Sequence, residues 1–139
     1  MTVQTDNTAL VRRFIDQVFV GQRDEAIDAL VADDFVGHTW GPTPVGRDFL
    51  RDALPRVRAG LSDVSMTVED TVAEADRVAV RVTSRARHTG EFMGMPATGK
   101  PYEIEEMHFF RVADGKIAEH WHVADIAGMR QQLGAPGTA

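Results

Sequence analysis

Tyr102–Val123, YEIEEMHFFRVADGKIAEHWHV, is the stretch that decides the fold. Tyr102, Ile104, Phe110 and Val112 recur at even spacing, the period of a half-buried strand. Asp114-Gly115 is a hairpin turn signal. Ile117, Trp121 and Val123 then mark a returning strand. Working backwards, Val78, Val80 and Val82 alternate in the same way, and so do Val64, Met66, Val68 and Val72 across the turn-like Ala75-Asp76. These runs predict an antiparallel meander. Downstream, Ile126, Met129 and Leu133 predict one short closing helix.

Before Gly60 the period is 3.6. Leu10, Phe14 and Val18, widened by Val11, Ile15 and Phe19, predict a first helix, with Asp6 or Asn7 as cap and Gly21 as stop. A short second helix follows from Asp24, burying Ala26, Ile27, Leu30 and Val31. Phe35 and Val36 begin an extended segment that runs into His38, Thr39 and Trp40. Gly41, Pro42, Pro44 and Gly46 mark a loop. A third helix starts near Arg47 and carries Phe49, Leu50, Ala53, Leu54 and Val57, with Pro55 expected to kink or shorten it. Helices first and strands second give an α+β class, with N-terminal helices packed on a curved antiparallel sheet. One domain is expected over residues 1–133, with a loose tail at 134–139.

Composition narrows the function. The 139 residues carry 43% hydrophobic and 26% charged side chains, ordinary globular values. Cysteine is absent, which removes disulfides, thiolate metal sites and cysteine nucleophiles. The net charge is −6 and no basic run occurs, so no nucleic-acid partner is expected. Neither a membrane-length apolar run nor a signal-peptide pattern is present, so no membrane association and a cytoplasmic location are the expectation. No phosphate loop, dinucleotide fingerprint or nucleophile elbow is found.

Strand parity points to chemistry. Glu106 and His108 share the even, apolar face of their strand, and ionisable groups there need partners or a wet cavity. The even face of the preceding strand ends at His88. On the last strand, Ile117, Trp121 and Val123 share parity with Asp125. If these faces meet, Glu106, His108, His88 and Asp125 look into one cavity, with His38 and Trp40 at its mouth. A carboxylate beside an imidazole in an apolar pocket can perform acid–base work. Structural readings stand beside these: Asp125 as a helix N-cap, His108 as a satisfied core histidine, Glu106 as the partner of a buried arginine. His120 and His122 form an H-x-H pair of the kind that suits a divalent metal, but their parity puts them outward, opposite Asp125, and no metal site is assigned. Residues Gly90 to Lys100, GEFMGMPATGK, form a loop too long for a tight hairpin. Phe92, Met93 and Met95 make it a candidate lid or a packed interface.

Four segments in this order, LVRRFIDQVF, LVADDFVGHTWGP, HTGEFMGMPATGK and FFRVADGKIAEHWHVAD, resemble the SnoaL-like polyketide cyclases of the nuclear transport factor 2-like superfamily. The resemblance runs from about Leu10 to Leu133. It implies a cone-shaped α+β barrel around a deep pocket, and a homodimer or homotetramer packed through the outer sheet face. The implied activity is intramolecular aldol condensation on an aromatic polyketide ester, without metal or cofactor. Asp125 matches the family's acid/base and His108 the histidine that assists it, while a neutral amide is implied where Glu106 stands. A substrate wall of Trp40, Phe92, Met93, Met95 and Phe110 would suit a small apolar or aromatic ligand. Other chemistry on the scaffold is less well provided. The arginines at 77, 81, 85, 87 and 111 have odd parity, away from the pocket face, and Tyr102 is the only tyrosine. A non-catalytic ligand-binding module is the remaining alternative.

Overall fold

Residues 2–134 are described by the computed structural model. Helix α1 spans Val3–Phe14 and buries Leu10, Val11 and Phe14. Its N-cap is Thr2, whose side chain accepts from the Thr5 backbone N–H at 3.1 Å, rather than Asp6 or Asn7. Asp6 instead lies in the first turn, where the helix dipole favours an acid. The helix continues as a π-helical stretch, Ile15–Val20. A wider turn brings residues five apart onto one face. Phe14 and Phe19 accordingly meet edge to face at 4.8 Å. Helix α2 is Asp24–Leu30, strand β1 is Val31–Gly37 and helix α3 is Arg47–Gly60. Pro55 lies inside α3 without shortening it.

The meander follows as expected: β2 Leu61–Glu74, β3 Arg77–His88, β4 Pro101–Ala113 and β5 Lys116–Ala124, each antiparallel to the next. The sheet is nevertheless mixed rather than wholly antiparallel. Strand β1 adds to the free edge of β5 in parallel, giving the order β1-β5-β4-β3-β2. An unpaired strand edge is a template for any extended segment nearby, and β1 covers it. The sheet curls but does not close, since β1 and β2 remain its two edges. Helix α4, Ile126–Leu133, packs back on β4. The expected tail beyond Gly134 lies outside the described residues. No helix among these residues is long and apolar enough to cross a membrane.

One irregularity decides which side chains face the helices. Arg111 pairs with Glu119, but Val112 pairs with Ile117, so Ala118 is an extra residue on β5. Such a bulge reverses the parity beyond it. Ile117 and Ala118 are both buried, and from there the inward positions are His120 and His122. Trp121 and Val123 turn outward, the reverse of the sequence expectation.

The core has two parts. One joins α1, α2 and α3 to Val80, Val82, Phe110 and Val112. The other joins α4 to Ala86, Tyr102 and Ile104. Between them the inner sheet face is polar.

Candidate active site

That polar band consists of Ser84 on β3, Glu106 and His108 on β4, and His120 and His122 on β5. Ser84, His108 and His120 are buried, His120 at 0% exposure. The hydrogen bonds run in one direction. Trp40 Nε1 donates to His120 Nδ1 at 3.0 Å. An indole N–H can only donate, so Nδ1 accepts. His120 is neutral, because burial, with His108 and His122 close by, holds its pKa well below the usual histidine range. Its proton therefore sits on Nε2, which lies 2.8 Å from His108 Nδ1 and donates to it. His108 in turn carries its proton on Nε2 and donates to Glu106 Oε1 at 2.8 Å. The chain Trp40 to His120 to His108 to Glu106 thus fixes two tautomers and ends on a carboxylate. With Nδ1 of both rings occupied as acceptors, no lone pair of His108 or His120 is left for a metal.

Aromatic rings wall the band. Phe19, brought round by the π-helical turn, lies 5.5 Å from the His108 ring and 5.8 Å from that of His120. Phe110 sits under His108 in the core at 6.1 Å. Trp40 covers the imidazoles, its ring 5.3 Å from His122. Its other side, with Phe49, Val57, Phe92 and Met93, lines a cleft of about 480 Å³. Behind it is a small apolar void of about 50 Å³ bounded by Phe19, Leu54 and Val57. The cleft has the size of a small-molecule site, and the void does not.

Other expected residues go elsewhere. Asp125 is the N-cap of α4: its Oδ1 accepts from the Gly128 backbone N–H at 2.9 Å, and the residue is exposed. A Cβ at 128 would lie 2.2 Å from Asp125 Oδ2, so a larger residue there would make the Asp125 carboxylate shift. No hydrogen bond joins Asp125 to His108 among the described residues. His108 pairs with His122, three residues before Asp125, so roughly 10 Å of strand separates the two backbones. The expectation had taken Asp125 to share the inward parity of Trp121, and the bulge at Ala118 removes that alignment. His38 also leaves the site. Its Nε2 meets Glu119 Oε1 at 3.0 Å, and its ring stacks on outward-facing Trp121 at 4.5 Å. His88 is buried at the base of the loop, where Nε2 donates to the Met95 carbonyl at 3.2 Å and Nδ1 meets the Thr98 hydroxyl at 3.0 Å. It clamps the loop rather than lining the band. Met95 belongs to the second core cluster, which leaves Phe92 and Met93 as the loop's cleft residues.

Three residues that the structure places on or against this band were not among the expected site residues: His120, His122 and Phe19. No local pattern marked the first two, because the bulge at Ala118 leaves the alternation along β5 looking intact. Phe19 had been read only as helix core.

A curled five-stranded sheet under helices, with acid–base groups on its concave face, is the architecture of small pocket-bearing α+β enzymes. The family model for SnoaL-like polyketide cyclase matches residues 9–133, and the chain belongs to that family. It is 41% identical over 139 residues to the aklanonic acid methyl ester cyclase DnrD of Streptomyces peucetius, covering 98% of this chain and 94% of that protein. Identity to the aklanonic acid methyl ester cyclase AcmA of Streptomyces galilaeus is 29% over 134 residues, covering 95% and 93%. Among solved structures, wild-type IdmH from Streptomyces antibioticus superposes with a TM-score of 0.81 at 33% identity, covering 93% of this chain and 99% of that one. TsrD from Streptomyces laurentii gives 0.84 at 27% identity, covering 98% and 100%.

Proposed function

We propose that this protein is a polyketide cyclase that closes a ring by aldol chemistry on an aromatic polyketide ester. The observation that carries the reading is the Trp40–His120–His108–Glu106 chain, walled by aromatic rings, with Trp40 shared between it and a ligand-sized cleft. Aldol closure needs a base to remove a proton alpha to a carbonyl, and an acid to return it to the oxygen that becomes an alkoxide. Glu106 suits both tasks in turn. Its Oε1 is held by His108, and its Oε2 has no partner among the described residues. His108 orients the carboxylate and is itself oriented by His120. Trp40 both lines the cleft and holds His120, so the substrate's reacting carbons have to pass the edge of its ring to reach Glu106. Phe92, Met93 and Phe49 then offer a flat apolar wall.

Asp125 as the general acid/base is the second reading. The family resemblance assigns it, and its Oδ2 has no partner among the described residues at the end of the strand that carries His122. In this reading Glu106 only holds His108.

The direct test is turnover. Incubation with aklanonic acid methyl ester, followed by chromatography and mass spectrometry, is expected to give a product isomeric with the substrate. Tight binding of the ester with no isomer formed would leave a binding module in place of an enzyme.

We propose in addition that the protein is a homodimer built through the outer sheet face. Val72 at 70% and Val123 at 68% exposure lie on that face with Met107 and Phe109. They surround a depression of about 570 Å³ that also includes Trp121. A contiguous apolar patch of this kind marks an association surface. Its charged rows alternate in sign, Arg81 pairing with Asp70 and Glu105 and Arg85 with Glu103, which suits a second copy of the same surface. Light scattering should give a dimer mass for the wild type and a monomer mass for Val123→Glu. A monomeric wild type would sink this proposal.

A further inference from the structure

His122 is the one imidazole of the band that the protein leaves open. Thr39 Oγ1 accepts the His122 backbone N–H at 2.9 Å and lies 2.7 Å from His122 Nδ1. A hydroxyl oxygen that accepts there directs its own hydrogen elsewhere, and Nδ1 is placed to receive it. With the Thr39 hydroxyl as the donor of this pair, the ring proton of His122 is on Nε2. Burial, reinforced by His108 and opposed by Glu106, holds this histidine down to about 4, so it is neutral at neutral pH. Among the described residues no protein group meets Nε2. Among the described residues the only buried side-chain polar atom without a partner is Arg51 Nε, so His122 Nε2 reaches accessible space. His122 lies opposite His108, and Glu106 lies opposite Ala124. Glu106 and His122 are thus diagonal neighbours on the concave face, about 7 Å apart at their backbones. That gap fits a reacting pair of carbons, with the acidic C–H toward Glu106 and the electrophilic carbonyl toward His122.

We propose that His122 is a catalytic residue whose Nε2–H donates to the carbonyl oxygen that becomes the alkoxide, with Thr39 fixing the tautomer that makes this possible. The inference rests on the cyclase reading above. The step balances within the substrate. Glu106 takes the proton from the carbon alpha to one carbonyl. The resulting enolate carbon attacks the carbon of the second carbonyl, and a C–C bond forms as the C=O π pair moves onto oxygen. Hydrogen-bonded to His122, that oxygen recovers the proton from Glu106. No atom is gained or lost and no oxidation state changes overall, so no co-reactant is needed. A neutral imidazole stabilises the oxyanion without surrendering its own proton, so the residue is ready for the next cycle.

The test uses the full chain with aklanonic acid methyl ester. His122→Leu is expected to lower kcat about 10²- to 10³-fold with KM little changed. His122→Gln, whose amide restores an N–H donor, should recover about tenfold or more of that loss. Thr39→Val should lower kcat and turn the His122 nitrogen-15 signals from a single Nε2–H tautomer into a mixture. Folding of each variant is verified by its amide NMR spectrum. If the wild type turns over the ester and His122→Leu matches it, or if the resting enzyme shows His122 protonated on Nδ1, this inference is overturned while the cyclase reading stands. If the wild type binds the ester without converting it, the cyclase reading falls and takes this inference with it.

Discussion

Glu106→Gln should lower kcat/KM for ring closure by about 10²- to 10⁴-fold, the usual range for removing a positioned base. The substitution isolates the proton-accepting role. Glutamine has nearly the same volume, and its amide oxygen still accepts the His108 Nε2–H that Glu106 Oε1 accepts now at 2.8 Å. The imidazole chain back to Trp40 therefore keeps its direction, and only the basic oxygen is lost. Asp125→Asn is the matched control. Asparagine also caps helices well, so the bond from the Gly128 N–H survives and α4 keeps its start. With Glu106 as the base, Asp125→Asn stays within about tenfold of the wild type. The reverse pattern, a collapse in Asp125→Asn with Glu106→Gln active, would move the acid/base role to Asp125. Initial rates for both variants, with circular dichroism to confirm folding, decide between the two carboxylates.

How much of this was legible beforehand differs between fold and site. The helices, the meander and the inward parity of β3 and β4 follow from local periodicity, which depends only on neighbouring residues. Glu106 and His108 on the concave face were legible for that reason. The parallel pairing of β1 with β5 was not, because it joins residues some eighty positions apart and no local pattern reports it. Nor was the bulge at Ala118. A single extra residue leaves hydrophobic alternation looking intact, since Trp121 and Val123 are as apolar as an inward row should be. They are apolar because the outer face is itself apolar: Trp121 meets Phe109 at 5.8 Å there, with Arg77 over the ring. The sequence pattern carried two hydrophobic faces and no mark to tell them apart. That ambiguity moved His120 and His122 out of the expected site and drew Asp125 in. His38 and His88 illustrate a simpler limit. Both are histidines near loop ends, and only tertiary neighbours, Glu119 for one and the Met95 carbonyl for the other, show what they hold.

The same imidazoles should make the protein acid-labile well above the carboxylate range. Around His120 stand the Trp40 indole N–H, His108 and His122, with Glu106 beyond His108, so a second proton on the ring would face a donor at Nδ1. His120 is held well below the usual histidine value and His122 down to about 4, burial being the larger cause for both. In the unfolded chain both return to about 6.5. The sign then follows from proton counting. Between these values the unfolded state binds protons that the native state refuses, so stability is full above pH ~6.5 and falls as pH drops toward 4. For His122 the shift amounts to about 3 kcal/mol, and its partial exposure reduces this to about 2 kcal/mol. His120, wholly inside, adds to that loss. Glu119, lowered by its bond to Arg111 and then by His38, acts only below its ordinary value of 4.5, so its window lies beneath that of the histidines. Urea unfolding at steps from pH 7.5 to 4.5 should therefore show a steady loss of stability, and His122→Gln should flatten the slope. A free energy of unfolding that stays constant over that interval would mean that the imidazoles take up protons in the native protein as readily as in the unfolded chain. The directed chain from Trp40 to Glu106 would then break up below pH ~6.5, because it requires His120 and His108 each to accept at Nδ1.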